Sequence, residues 1–278
     1  MRLYVSCDME GTAGVCSWMQ CDPSNRHEYP VYRRYMAQEV RAAIDGARGA
    51  GATDVVINDS HWDMRNLLWD ELPTDVRVIS GGRKPFSMAE GLDAGGLDGA
   101  FFTGYHARVG AANGVLAHTY TADSLYNVRI NGVPCSEALL NAAMAGLYGI
   151  PLLLVSGDRV VVEHVKEFMP WTTGIVVKEG IGHYAADSIT PKAAQAALRE
   201  GAARAIRDAR NAKPFTFEPP ITMEIDTTRV EQADFIELMP GFERVDGRTL
   251  RFAHNDYTMI FRAFVCAFRL GGAASAIA

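Results

Sequence analysis

The sequence predicts an α/β fold: a mainly parallel sheet with helices on both faces, plus a smaller C-terminal α+β subdomain. Three observations carry that prediction. Short, nearly continuous apolar runs alternate with stretches of helical period, as strands buried on both faces do. Each run passes directly into polar residues, as strands do at the carboxyl edge of such a sheet. At KPFTFEPP, residues 213–220, the composition changes and prolines interrupt the alternation. Residues 1–212 are therefore read as the α/β domain carrying any site, and 213–278 as the smaller subdomain.

The elements follow in order. LYVSC is the first strand, and Tyr29 to Arg48 a helix whose apolar face includes Tyr32, Met36, Val40, Ala43, Ile44 and Ala47. The GAG at 49–51 stops it. DVVIND, VRVIS and GAFFTGY are further strands. YNVRINGVPC breaks the alternation, and its Asn131-Gly132 suits a tight two-residue turn, so a hairpin is expected. SEALLNAAMAGLYG is a helix with Ser136 as N-cap. PLLLVSG and GIVVKEG are strands separated by the helix DRVVVEHVKEFM, and an Ala-rich helix runs from Pro191 to Asn211. The last segment reads as a strand (ITMEID), a helix (VEQADFIELM), a two-stranded piece around VDGRTLRF and a final helix from Tyr257.

Composition narrows the function. With 48% apolar residues in 278, a sizeable core is available and global disorder is excluded. The net charge of -6, with no basic run, argues against nucleic acid or an anionic membrane as main partner. The 5 cysteines are odd in number and form no CxxC, which fits reduced thiols in a cytoplasm better than disulfides or a thiolate zinc site. Cys7 should face away from Asp8 and pack. The opening apolar run is too short for a secretory leader, and nothing approaches the ~18 apolar residues of a membrane span. A soluble protein is expected.

SCDMEG, at the end of the first strand, poses the chemical problem. Asp8 and Glu10, two apart on a strand, point to one face, and in a half-dry site each raises the cost of ionising the other. A cation should sit between them. The second strand ends in NDSH, with His61, and the fourth in GYHA, with His106. Glu137 opens the helix after the hairpin, where the macrodipole favours its ionised form. Taken singly, each has an ordinary explanation: a capping acid, a hydrogen-bonded structural histidine, a helix-start glutamate. Together at strand and helix ends they point to a metal centre. They exceed the three protein ligands of a single catalytic zinc. They suit two ions about 3.5–4 Å apart, whose charge three carboxylates and one bridging hydroxide would balance. Nitrogen and oxygen donors without thiolate favour zinc, manganese or cobalt.

SCDMEG, NDSH, KPFSMAEGL, GYHA, GVLAHT and SEALLN, in that order, resemble the D-aminopeptidase family of zinc peptidases, peptidase family M55, and the similarity covers nearly the whole chain. The resemblance implies that Asp8, Glu10, His61, His106 and Glu137 bind two zinc ions per subunit and that His118 is catalytic. Ala117 stands where a family member has serine, which affects any role of that hydroxyl and not the histidine. It further implies hydrolysis of short peptides, D-residue-containing ones included, and a homo-oligomeric ring with sites facing an inner chamber. The tail FVCAFRLGGAASAIA could supply contact surface or simply be a buried terminal helix. Two rivals remain: a dimetal hydrolase of another amide or ester bond, and a non-catalytic metal-binding scaffold. Arg108 alone offers a cation for a phosphoryl group, which weighs against phosphoesters. Asp59 is a candidate partner for a ligand, and Asn141, one turn after Glu137 on the same helix face, either touches substrate or, the preferred reading, makes structural hydrogen bonds. Lys84 and Glu90 receive no role, and His27, His164, His183 and His254 are read as non-catalytic.

Overall fold

A computed structural model describes residues 1–277. The chain opens with β1 (Arg2–Cys7), a one-turn helix α1 (Trp18–Cys21) and the long α2 (Tyr29–Gly49). Then come β2 (Asp54–Asp59), β3 (Arg77–Ile79), β4 (Gly99–Tyr105) and the hairpin β5 (Leu125–Ile130) and β6 (Val133–Pro134). After it follow α3 (Glu137–Leu147), β7 (Leu152–Asp158), α4 (Arg159–Phe168), β8 (Thr173–Gly182), β9 (Ala185–Ser188) and α5 (Pro191–Asp208). The chain closes with β10 (Ile221–Thr227), α6 (Val230–Glu237), β11 (Phe242–Arg244), β12 (Thr249–His254) and α7 (Tyr257–Ile277).

The larger sheet has the order β3-β2-β1-β4-β7-β8-β9 and is parallel except at its β8–β9 edge. Strand order reverses direction at β1, with β2 on one side and β4 on the other, which opens a crevice beyond their carboxyl ends. Alternate side chains of β1 feed two cores. Leu3, Val5 and Cys7 pack with α2 and α5 residues such as Val40 and Leu198, whereas Tyr4 joins the core of α3, α4 and α7. Cys7 thus packs as its place on the strand requires.

The second sheet, β11-β12-β10-β5-β6, is antiparallel throughout. Asn131 and Gly132 both have left-handed backbone, φ 50 and 79, as the hairpin turn demands. The segment 213–278 does not own this sheet, because β10 pairs directly with β5. Composition marks the proline break but cannot show that pairing crosses it. The strand at GIVVKEG is also longer than expected, running to Gly182 and folding back through β9. Among the described residues no helix is long and apolar enough to cross a membrane.

Candidate metal centre

Local structure explains how the acids and imidazoles reach one place. β1 stops at Cys7, so Asp8 and Glu10 lie on the turn just beyond the strand and not on it as their spacing suggested. That turn is pinned to β4: Asp8 N donates to Thr103 O (2.8 Å) and Gly11 N to Gly104 O (2.7 Å). His61 follows β2 by two residues, and His106 follows β4 directly. Glu137 is the first residue of α3, whose N-cap Ser136 accepts from Leu139 N. His118 sits in the loop between β4 and β5, flanked by Leu116 and Tyr120 with left-handed φ of 49 and 63. Non-glycine residues adopt that conformation at a cost, so the loop is held by its surroundings.

The structure brings Asp8, Glu10, His61, His106, His118 and Glu137 together, all buried. They form two groups. His61 Nδ1 lies 2.9 Å from Glu10 Oε2 and 3.3 Å from Asp8 Oδ1. His106 Nε2 lies 3.4 Å from both Asp8 Oδ2 and Glu137 Oε1, with His118 Nε2 3.7 Å from the latter. Asp8 therefore offers one oxygen to each group.

The far ring nitrogens decide the tautomers. His61 Nε2 is 2.8 Å from Cys21 O, His106 Nδ1 is 2.9 Å from Ala107 O, and His118 Nδ1 is 2.8 Å from Leu116 O. A carbonyl only accepts, so each of these nitrogens carries the hydrogen and the other presents a lone pair to the carboxylates. Lone pair facing carboxylate is repulsive unless a cation or proton intervenes. Asp8 Oδ2, Glu10 Oε2 and His106 Nε2 are buried with no hydrogen-bond partner, which marks them as donors to something positive.

The titration of these groups reports the same demand. Burial, then the charge of Glu10, pushes Asp8 up to about 8. Burial opposes a charged His61, yet Glu10 and Asp8 outweigh it and raise the imidazole well above its usual value. For His106 the same contest, won by Glu137 and Asp8, ends at about 10. Burial and the neighbouring His106 instead lower His118, so it stays neutral near pH 7. Divalent ions would satisfy these carboxylates in place of protons, and the nitrogen and oxygen donor set fits zinc. Cys21 lies close to Glu10 and His61, but burial and Glu10 raise its thiol well above the usual value. Its carbonyl accepts from His61 Nε2.

The sequence profile of the D-aminopeptidase family, peptidase M55, matches residues 1–266. The chain belongs to the M55 D-aminopeptidase family. A D-aminopeptidase of Bacillus subtilis strain 168 is 36% identical over 269 residues, covering 95% of this chain and 96% of the relative. A solved structure, the Zn-dependent D-aminopeptidase DppA from Bacillus subtilis, described as a self-compartmentalizing protease, superposes with a TM-score of 0.92 at 35% identity and 98% coverage of both chains. Family membership makes the chain a metal-dependent aminopeptidase, a hydrolase.

In this M55 chain several remaining candidates hold the backbone around the clustered acids and imidazoles. Among the described residues no hydrogen bond joins Asp59 to the His61 ring, whose partners are Asp8, Glu10 and Cys21 O. It accepts from Asn66 N (2.6 Å), Leu67 N (2.8 Å) and Asn66 Nδ2 (2.7 Å), fixing the loop after His61. Lys84 is buried against Asn58 Oδ1 and Asp59 O, and Glu90 accepts from Phe86 N. Asn141 donates to Tyr105 Oη (3.0 Å) and accepts from Tyr120 Oη (2.7 Å). His164 bonds Ser136 Oγ, and His183 is exposed beside Trp18.

Two supporting groups were missed from sequence. Lys178, fully buried on β8, donates to Glu10 O, to Thr12 O (2.9 Å) and to Val15 O (2.6 Å). Asp158 accepts from Ala107 N (3.1 Å) and Val115 N (3.3 Å), tying the His106 and His118 loops together. A lysine inside the apolar run GIVVKEG was the available signal for the first; Asp158 was read only as the opening residue of the helix DRVVVEHVKEFM. Asp8, Glu10, His61, His118 and Glu137 line a cavity of about 440 Å³ together with Trp18, Trp62, Tyr120, Phe268, Asp22 and Asp123.

Proposed function

We propose that this chain is a dinuclear zinc aminopeptidase that removes the first residue of short peptides and prefers D-residues there. The observation that carries it is the division of the site into two donor groups with Asp8 facing both. Asp8, Glu10 and His61 would hold one ion, and Asp8, His106 and Glu137 the other, with manganese or cobalt as substitutes. The ions, when bound, would supply a nucleophilic water at neutral pH and polarise the scissile carbonyl.

His118 then has the work of moving protons. Its Nδ1 is committed to Leu116 O, and its ring lies flat on His106 with centroids 4.0 Å apart, so only Nε2 is free to act. Neutral near pH 7, it accepts a proton from the attacking water and returns it to the departing amine. Trp18 packs edge-on against it and limits water on that side. Asp22 and Asp123 give the cavity an acidic lining suited to a peptide's free ammonium. The D-preference is supported by the names of the relatives. The self-compartmentalizing relative supports a homo-oligomer, ring-shaped, with enclosed sites. All 5 cysteines are free, which supports a cytoplasmic setting.

Zinc-loaded protein assayed on matched D- and L-aminoacyl dipeptides tests this. Wild type should carry near two equivalents of zinc and cleave the D-series faster. His118→Ala should keep the metal and lose about 10²- to 10⁴-fold in kcat. Loss of metal from that variant would instead make His118 a ligand, and inactivity of wild type on every peptide would remove the proposal.

A further inference from the structure

A second cavity, of about 760 Å³, adjoins the first and shares Thr121, Phe268 and Arg269 with it. Its charged lining is Arg83, Lys84, Arg262 and Arg269, and no acid faces it. In a chain of net charge -6 such a cluster is conspicuous. Lys84 is already engaged by Asn58 and Asp59. The three arginines are exposed and form no ion pair among the described residues. Two are steadied on aromatic rings: Arg262 over Phe86 at 5.1 Å and Arg269 over Phe268 at 5.3 Å. Arg83 occupies left-handed backbone at φ 63, a conformation with a cost for a side-chain-bearing residue. The unneutralised neighbourhood is felt by Arg269, whose pKa is lowered by burial and then by the Arg83 charge.

We propose that this basic cavity is the subsite for the free C-terminal carboxylate of the peptide, with Arg269 at the junction as its main contact and Arg83 and Arg262 behind. The proposal rests on the aminopeptidase reading above and names its substrate class: short peptides with both termini free. The first cavity carries acids with Arg269 at its shared edge, and the second carries only basic charges. The acids beside the ligands suit the ammonium end, and the arginines suit the carboxylate end, since guanidinium donors match a carboxylate two at a time. A dipeptide or tripeptide spans about 7–10 Å when extended.

The test uses an uncleavable ligand, so that binding is read apart from hydrolysis. Zinc-loaded protein is titrated calorimetrically with D-Ala-ψ[CH2NH]-D-Ala as the free acid and as its C-terminal amide. Wild type should bind the acid about 10- to 100-fold more tightly than the amide, the range of charge-assisted hydrogen bonds. That ratio should fall toward one in Arg269→Gln and in Arg83→Gln, and recover in part in Arg269→Lys. Equal affinities in wild type, or a ratio that survives both glutamine variants, overturns the subsite. Failure of the parent dipeptide to be cleaved would count against the aminopeptidase reading alone, because the ratio is measured without turnover.

Discussion

Glu10 is held from both ends: its carboxylate faces His61, and its carbonyl is taken by the buried ammonium of Lys178. Lys178 caps three carbonyls of one turn, which has no sheet partner for them, and burial lowers its pKa. Lys178→Met fills similar volume but takes this donor from Glu10 O and Val15 O in a dry place and leaves Thr12 O only its bond from Val15 N (3.2 Å). It should destabilise the protein by about 3 kcal/mol or more and weaken zinc binding. Urea unfolding with zinc and with chelator measures both, and an unchanged zinc dependence would show that the turn does not need its cap. The five proposed ligands could be picked out in sequence because each follows a strand or opens a helix and carries a side chain suited to metal. Lys178 and the carbonyl of Cys21 were not, since their contacts span 168 and 40 residues. A backbone oxygen leaves no mark in a sequence.

Among the elements, β1 and β4 set the spacing of the site, and their glycines are the reason they can. Gly104, in GYHA, has φ 70, and a Cβ there would lie 2.1 Å from Asp8 O. Gly11, in SCDMEG, would place one 1.8 Å from Tyr105 O. The two motifs therefore carry glycine because their backbones cross, which brings Asp8 beside His106. Gly104→Ala must push the strands apart and strain the backbone. It should cost at least about 2 kcal/mol and lower zinc affinity about tenfold or more, read by thermal unfolding and chelator competition. Gly49→Ala is the control. It ends α2 with nothing within 4 Å of the added carbon, and should gain about 0.5–1 kcal/mol. Strand existence and order of appearance could be read from apolar runs. The β5–β10 pairing could not, because antiparallel partners 95 residues apart are chosen by packing and not by local pattern.

Across the whole molecule, the layers meet beneath the site through one buried acid. Glu39, on α2, accepts from Ala13 N (2.9 Å) in the turn after Glu10, while its other oxygen has no partner. Burial raises its pKa from 4.5 to about 7, against the opposing pull of the Ala13 N–H and of Lys178 on β8. The folded state thus holds this proton more tightly than the unfolded chain. Between pH 4.5 and about 7 the native form binds more protons, so stability falls as pH rises and the full penalty stands above about 7. Glu39→Gln keeps an acceptor for Ala13 N and cannot titrate. Relative to wild type it should therefore gain at pH 8 about 2 kcal/mol more than at pH 5. Titrations of the ligand residues occur in both proteins and cancel in that comparison. Urea unfolding at the two pH values, in saturating zinc, measures it. A difference independent of pH would mean that Glu39 is ionised throughout and that Lys178, crossing from β8, neutralises it after all.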